Sequence, residues 1–226
     1  MATHLDLEEQ EQLDQLKSFW KQYGSLITWV LIAVLGAYAA WNGWNWWQRD
    51  QAVKAGAMYD ELDRAAQAGD ADRAGRIFGD MKERFPRTAF TAQGGLLAAR
   101  TQFEKGQIDN ARATLAWVAE SAGETEVQSI ARLRLAGVLL DEKKYDEALK
   151  QLDSATAKEF EALVADRRGD VLLAQGKKDE AKAAYMRAWQ AMDARVEYRR
   201  LIDAKLTALG AAPAAAASAA SAAAGQ

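Results

Sequence analysis

The chain has 226 residues, half of them apolar, with no cysteine and a formal net charge of −3. That length holds one or two domains with a real core, and the apolar share excludes a wholly disordered protein. The missing cysteines exclude disulfides, thiolate nucleophiles and Cys-ligated metals, while the near-neutral charge excludes a broad basic field for capturing nucleic acid.

The charge has an address. Residues 1–21 carry five acids (Asp6, Glu8, Glu9, Glu11, Asp14) and two bases (Lys17, Lys21), and the rest balances at 27 bases against 27 acids. The first element is thus a short acidic arm, residues 1–24. Asp6 with Glu9 three residues later has the form of a capping box, and Leu13, Leu16, Trp20 and Tyr23 recur at helical spacing. The pattern suits an amphipathic lead-in lying on a membrane and a frayed, solvated tail equally well.

The second element, residues 25–48, is predicted as a transmembrane helix. No charge occurs between Lys21 and Arg49, and the 22 residues "LITWVLIAVLGAYAAWNGWNWW" run from Leu26 to Trp47. At 1.5 Å per residue they rise about 33 Å, against roughly 30 Å of bilayer hydrocarbon. Trp20 and Tyr23 stand before the run and Trp41, Trp44, Trp46 and Trp47 at its far end. Rings with an apolar body and one polar N–H or O–H favour the interface, so these six read as membrane-interface residues. A buried soluble helix would keep a polar stripe, and Leu26 to Ala40 has none. "AYA" at Ala37–Ala39 has the spacing a signal peptidase accepts, but cleavage would leave the tryptophans at a new N-terminus, so an uncleaved anchor is expected. Lys17 and Lys21 against Arg49 and Lys54 leave the positive-inside count tied, with only a lean toward a cytoplasmic arm. Small residues at Gly36, Ala39, Ala40 and Gly43 would permit close helix approach, a weak signal.

From Gln48 to Gly210 good helix formers dominate and β-branched residues are sparse, so the chain reads all-α. Four polar turns each lead to an alanine: Ala74, Ala111, Ala148 and Ala181, spaced by 37, 37 and 33 residues. Four residues after each comes a large side chain, Phe78, Leu115, Leu152 or Tyr185. Ala136 and Gly169 stand twelve residues before the third and fourth alanines. These are the offsets of the tetratricopeptide repeat (TPR), whose helices A and B cross at a small residue while a bulky one fills the gap a turn later. Residues 49–210 are therefore expected to form a TPR-like α-solenoid, with extra residues around "TQFEKG" in the second repeat. Gly106 and Gly176 are expected as left-handed caps, and Asp109, Asp146 and Asp179 as support for the following N-termini.

The last pair needs a capping helix, supplied by Asp193 to Gly210. Val196, Leu201, Leu206 and Leu209 are expected to face inward there, with Arg195, Arg199, Arg200 and Lys205 in water. Residues 211–226, "AAPAAAASAASAAAGQ", are expected to be a disordered Ala/Ser tail.

Catalytic groups are scarce. The one histidine is His4, no cluster has metal-ligand spacing, and "AQGG" at Ala92–Gly95 lacks the lysine of a phosphate loop. Asp166 and Asp170, one helical turn apart, read far better as solvated helix charges beside Arg167 and Arg168 than as a catalytic pair. No enzyme, cofactor or metal is expected. A solenoid offers a concave groove instead, and in the repeat register Arg100, Arg134 and Arg167 fall near it, able to bind carboxylates or backbone carbonyls of an extended partner. With Asp166 and Asp170 they form the candidate protein-binding set; the alternative for each arginine is pairing with a neighbouring acid.

From about Leu13 to Gly210 the chain resembles the YfgM family. The likeness is carried by the acidic arm, "FWKQYG" before the span, the tryptophans after it, "LRLA" at Leu133–Ala136 and "VADRRGDVLLAQGKKDEAKAAY" at Val164–Tyr185. In the last piece Asp166, Arg168, Gly169 and Asp170 match the family's Asp-x-Arg-Gly-acid pattern; the Ala/Ser tail and the dense tryptophans depart from it. The resemblance implies a single-pass inner-membrane protein with a cytoplasmic N-terminus and a periplasmic TPR-like domain. It further implies association with the SecYEG translocon and a PpiD-like periplasmic chaperone, with secreted or membrane proteins as clients. A membrane-anchored scaffold for cytochrome c maturation or cell division is the alternative expectation.

Overall fold

The structure is a computed structural model that describes residues 7–212, with side chains from residue 11 onward. His4, Asp6 of the expected capping pair and the tail from Pro213 lie outside the described residues. The chain divides into two compact units, residues 1–51 and 52–226. Among the described residues every regular element is a helix: α1 Leu7–Gln67, α2 Ala71–Arg84, α3 Ala89–Glu104, α4 Ile108–Ser121, α5 Thr125–Asp141, α6 Tyr145–Asp153, α7 Glu161–Ala174, α8 Lys178–Ala191 and α9 Tyr198–Ala208, with a 3₁₀ turn at Lys158–Phe160.

The described part of the first unit is α1 from Leu7 as far as Gln51, so the expected span and the arm from Leu7 onward share one helix. Its large apolar side chains point outward: Leu26, Trp29, Val30, Leu31, Ile32, Val34 and Leu35 are all exposed, as are the six interface candidates. Trp46 is 71% accessible, and Trp44 and Trp47 lie 5.3 Å apart between ring centroids. An apolar surface of this length needs an apolar solvent, and the helix is long and apolar enough to cross a membrane.

The second unit stacks four helix pairs and a cap. The end of α1 pairs with α2, since Leu62 and Ala65 share a core cluster with Ile77, Phe78 and Met81. α3 with α4, α5 with α6 and α7 with α8 follow, and α9 lies on α8. The four repeat alanines, Ala74, Ala111, Ala148 and Ala181, are each fully buried, and Phe78, Leu115, Leu152 and Tyr185 are buried one turn later. Small residues at the crossings are a steric requirement. A Cβ on Gly169 would overlap the Tyr185 ring, and one on Gly95 would overlap Val118 and Phe78. The "AQGG" stretch is thus explained by close helix packing in α3.

The turn within each pair repeats one backbone motif. Gly69, Gly106 and Gly176 take positive φ, and the N–H three residues past each helix end reaches back to a carbonyl five residues earlier, as Gln107 to Gln102 at 2.8 Å and Lys177 to Leu172 at 2.9 Å. This Schellman geometry satisfies the orphan carbonyls of the helix end. In the third turn Lys143 takes φ 60° where the others have glycine. Asp109, Asp146 and Asp179 lie in the first turns of α4, α6 and α8, where they complement the helix dipole without making a side-chain cap. A true side-chain cap comes from Asp70, which accepts from the Arg73 N–H at 2.9 Å.

The cap differs from expectation in which face it buries. Ile202 and Leu206 are fully buried, whereas Val196 and Leu201 are exposed. Leu206 and, half-buried, Leu209 pack inward as expected, so the helix is rotated only slightly from the expected face, enough to exchange Leu201 for Ile202. That rotation carries Lys205 inward too, out of the water in which the sequence reading placed it.

Candidate protein-binding groove

α3, α5 and α7, the A helices of successive repeats, are neighbours in the stack. Arg134 and Arg167 occupy matching positions, 14 residues before Ala148 and Ala181, while Arg100 stands 11 residues before Ala111, about one helical turn further along α3 on the same side. They line a single groove of about 500 Å³ whose apolar walls include Ala99, Phe103, Leu115 and Val138. Each arginine is placed differently. Arg100 Nε donates to Glu104 Oε1 at 2.8 Å on its own helix, in a largely exposed pair. Arg134 leans toward α3, where its Nη1 donates to the Leu96 carbonyl at 3.3 Å. Arg167 lies over Gly137 of α5, its guanidinium 3.8 Å from where a Cβ would stand, and its Nη1 is 3.7 Å from Asp170 Oδ2. Burial first, and the Arg100 charge second, lower the Arg134 guanidinium from its ordinary value; an arginine nonetheless stays charged at any physiological pH.

The structure brings the three arginines together and sets the two aspartates apart. Asp166 is only 2% accessible and Asp170 is half-buried, so they are not the solvated helix charges expected from sequence. Lys205 of α9 explains both. Its Nζ stands 2.9 Å from each oxygen of Asp166 and 2.7 Å from Asp170 Oδ1. Tyr198 donates its hydroxyl to Asp166 Oδ2 at 2.8 Å, and Tyr185 donates to Asp170 Oδ1 at 2.8 Å. Buried carboxylates need this kind of complete pairing, because an uncompensated charge away from water is costly. Arg168 leaves the same helix on another side and pairs with Asp153.

The Asp-x-Arg-Gly-acid stretch of α7 therefore has a structural meaning at every position. Asp166 and Asp170 hold α9, Arg168 holds α6, and Gly169 admits the Tyr185 ring of α8. Lys205 was missed from sequence, although Tyr198, Ile202, Lys205 and Leu209 fall at helical spacing on one side, which was the available signal. Phe103, 41% accessible beside the arginines, was also missed; a lone phenylalanine in "TQFEKG" carries no sign of which way it faces.

Comparison with known proteins agrees with this architecture. A family model described as tetratricopeptide repeat-like domain matches residues 17–211. The "Ancillary SecYEG translocon subunit" of Neisseria gonorrhoeae is 32% identical over 212 residues, covering 92% of this chain and 100% of that protein. Proteins of the same name from Haemophilus influenzae and Escherichia coli K12 are each 29% identical, covering 81% and 78% of this chain and 90% and 85% of their own lengths. With one apolar N-terminal helix, a four-pair TPR-like stack and likeness along nearly its whole length, the chain belongs to the family of ancillary SecYEG translocon subunits, the YfgM family.

Proposed function

We propose that this protein is a non-enzymatic adaptor at the SecYEG translocon of the inner membrane, linking exported proteins to a PpiD-like periplasmic chaperone. The observation that carries the reading is the groove: three arginines from three successive repeats converge on one apolar-walled surface, the form in which repeat stacks hold extended partner segments. The relatives' names supply the machine at which this happens. The charge-free stretch of α1 anchors the chain once, through residues 25–48. The arm lies in the cytoplasm, and the repeat domain, residues 49–210, lies in the periplasm, where it meets chaperone and emerging client together. Trp20 and Tyr23 mark one membrane interface and Trp41, Trp44, Trp46 and Trp47 the other.

The test is in-cell photocrosslinking from a probe replacing Arg134 or Arg167, with mass spectrometry of the adducts. Translocon subunits or a periplasmic chaperone among the adducts are the expected result. Adducts made up of cytochrome maturation or division proteins would sink the reading.

A further inference from the structure

The three groove arginines are not equivalent in what compensates them. Arg100 has Glu104 at 2.8 Å, and Arg167 has Asp170 at 3.7 Å. Arg134 has the Leu96 carbonyl and, among the described residues, no ion pair. The acid that lines the groove, Asp141, stands two turns along α5 from Arg134, about 10 Å by helix rise. A solvent-facing guanidinium beside a second cation and without a carboxylate is the uncompensated charge of this groove. The surfaces around it are apolar: Phe103 stands open to solvent at one wall, with Leu115 and Val138 behind.

We propose that this groove binds an extended acidic segment of a partner protein, placing one side-chain carboxylate on Arg134 and an apolar side chain against Phe103, Leu115 and Val138. The inference deepens the adaptor reading and rests on it only for the groove being the face that meets a partner. A segment fits better than an isolated carboxylate. Packed helices lie 8–10 Å apart, so the arginines of α3, α5 and α7 serve a path of up to about 20 Å, some six extended residues. Along such a path every second side chain faces the groove floor, so acidic and apolar side chains at alternate positions can reach the arginines and the apolar wall of Phe103, Leu115 and Val138. Arg134 is the anchor because it has most to gain: a ligand carboxylate supplies its missing counter-charge and screens it from Arg100. Arg100 and Arg167 must share theirs with Glu104 and Asp170.

The test uses the full chain in detergent micelles or nanodiscs and a labelled heptapeptide, Ser-Glu-Ser-Phe-Ser-Glu-Ser, acetylated and amidated so that its only carboxylates are side chains. Binding is read by fluorescence anisotropy. The acidic peptide is expected to saturate, and the peptide with both glutamates replaced by glutamine to bind about tenfold or more weakly, since charge-assisted bonds to arginine are lost. Arg134→Gln is expected to weaken the acidic peptide by about tenfold and leave the glutamine peptide unmoved, with Arg167→Gln two- to fourfold. Equal binding of the two peptides, or saturation by neither, overturns the proposal, and that comparison needs no protein variant to fold. Crosslinking from the groove separates the two readings. Translocon or chaperone adducts without acidic-peptide binding leave the adaptor standing and remove the acidic specificity; peptide binding without such adducts does the reverse.

Discussion

Two clusters of charge, one on each side of α7, show how burial and pairing divide charges spent inside the fold from charges left open to solvent. Toward α9, Asp166, Asp170 and Lys205 lie in a partly or fully buried network whose oxygens also receive the hydroxyls of Tyr185 and Tyr198. Toward α5, Arg100, Arg134 and Arg167 line an open groove, and the middle one lacks an acid. All six residues are charged, lie on or beside A helices and look alike in sequence. The first group holds the chain to itself, whereas the second is left with donors to offer. Arg167 touches both, since its nearest acid is Asp170.

The largest expected effect comes from breaking the buried side. Lys205→Ala leaves the Asp166 carboxylate buried and without its cation, and a destabilisation of about 3–5 kcal/mol is expected. Urea unfolding of the full chain in detergent, followed by circular dichroism, measures it. A loss within 0.5 kcal/mol would show that the network contributes little to docking α9.

Next comes the packing beneath the network. Gly169→Ala puts a methyl group where the Tyr185 ring lies, so α7 and α8 must separate. A cost of about 1–3 kcal/mol is expected from overpacking, together with a Lys205–Asp170 contact loosened enough to appear as faster amide exchange in α9. Gly137→Ala is the matched control, because its Cβ would meet only ordinary contact with Arg167.

A pH series sharpens the same side. Burial, and then hydrogen bonding to Asp170 for Tyr185 and to Asp166 for Tyr198, raise both phenols above their ordinary value. A tyrosine raised in the folded state keeps its proton after the unfolded chain has lost it. Its stabilising share is therefore complete below the unfolded value near pH 10 and is lost as pH climbs above it. The urea midpoint is expected to fall between about pH 10 and 12 more steeply than in Tyr185→Phe/Tyr198→Phe, which lacks both groups. Identical pH profiles for the two proteins would refute the assignment.

The smallest effect on stability is expected on the open side. Arg134→Gln removes one long hydrogen bond at a groove wall and relieves repulsion with Arg100, so stability should change by less than about 0.5 kcal/mol. Its consequence belongs to binding. If Arg134→Gln instead destabilised the protein as much as Lys205→Ala, the division between the two clusters would fail.

Much of the repeat unit was legible because its determinants are local and periodic. Alanine at the crossing and a bulky residue one turn later recur at spacings that only stacked helix pairs require, and each of those eight positions proved buried. Arg134 and Arg167 were legible for the same reason, since a repeat period aligns equivalent positions on one face, and Arg100 joins them from three residues off that register. Lys143 was not, because a lysine at positive φ is forced by the turn its neighbours close. The inward face of α9 was misjudged by one helical position, which exchanged Leu201 for Ile202 and concealed Lys205.

Composition and periodicity by themselves determined that this chain is helical, that one stretch is apolar enough to span a bilayer, and that a TPR-like stack follows. These are statements about single helices and their repetition, carried by residues close in sequence. Only the tertiary structure decided which charges are spent inside the fold and which remain open in the groove. Asp166 and Lys205 are 39 residues apart, and Arg134 meets the Leu96 carbonyl across 38. A carboxylate's fate depends on whether a cation from a distant helix reaches it before water does, and no local pattern records that.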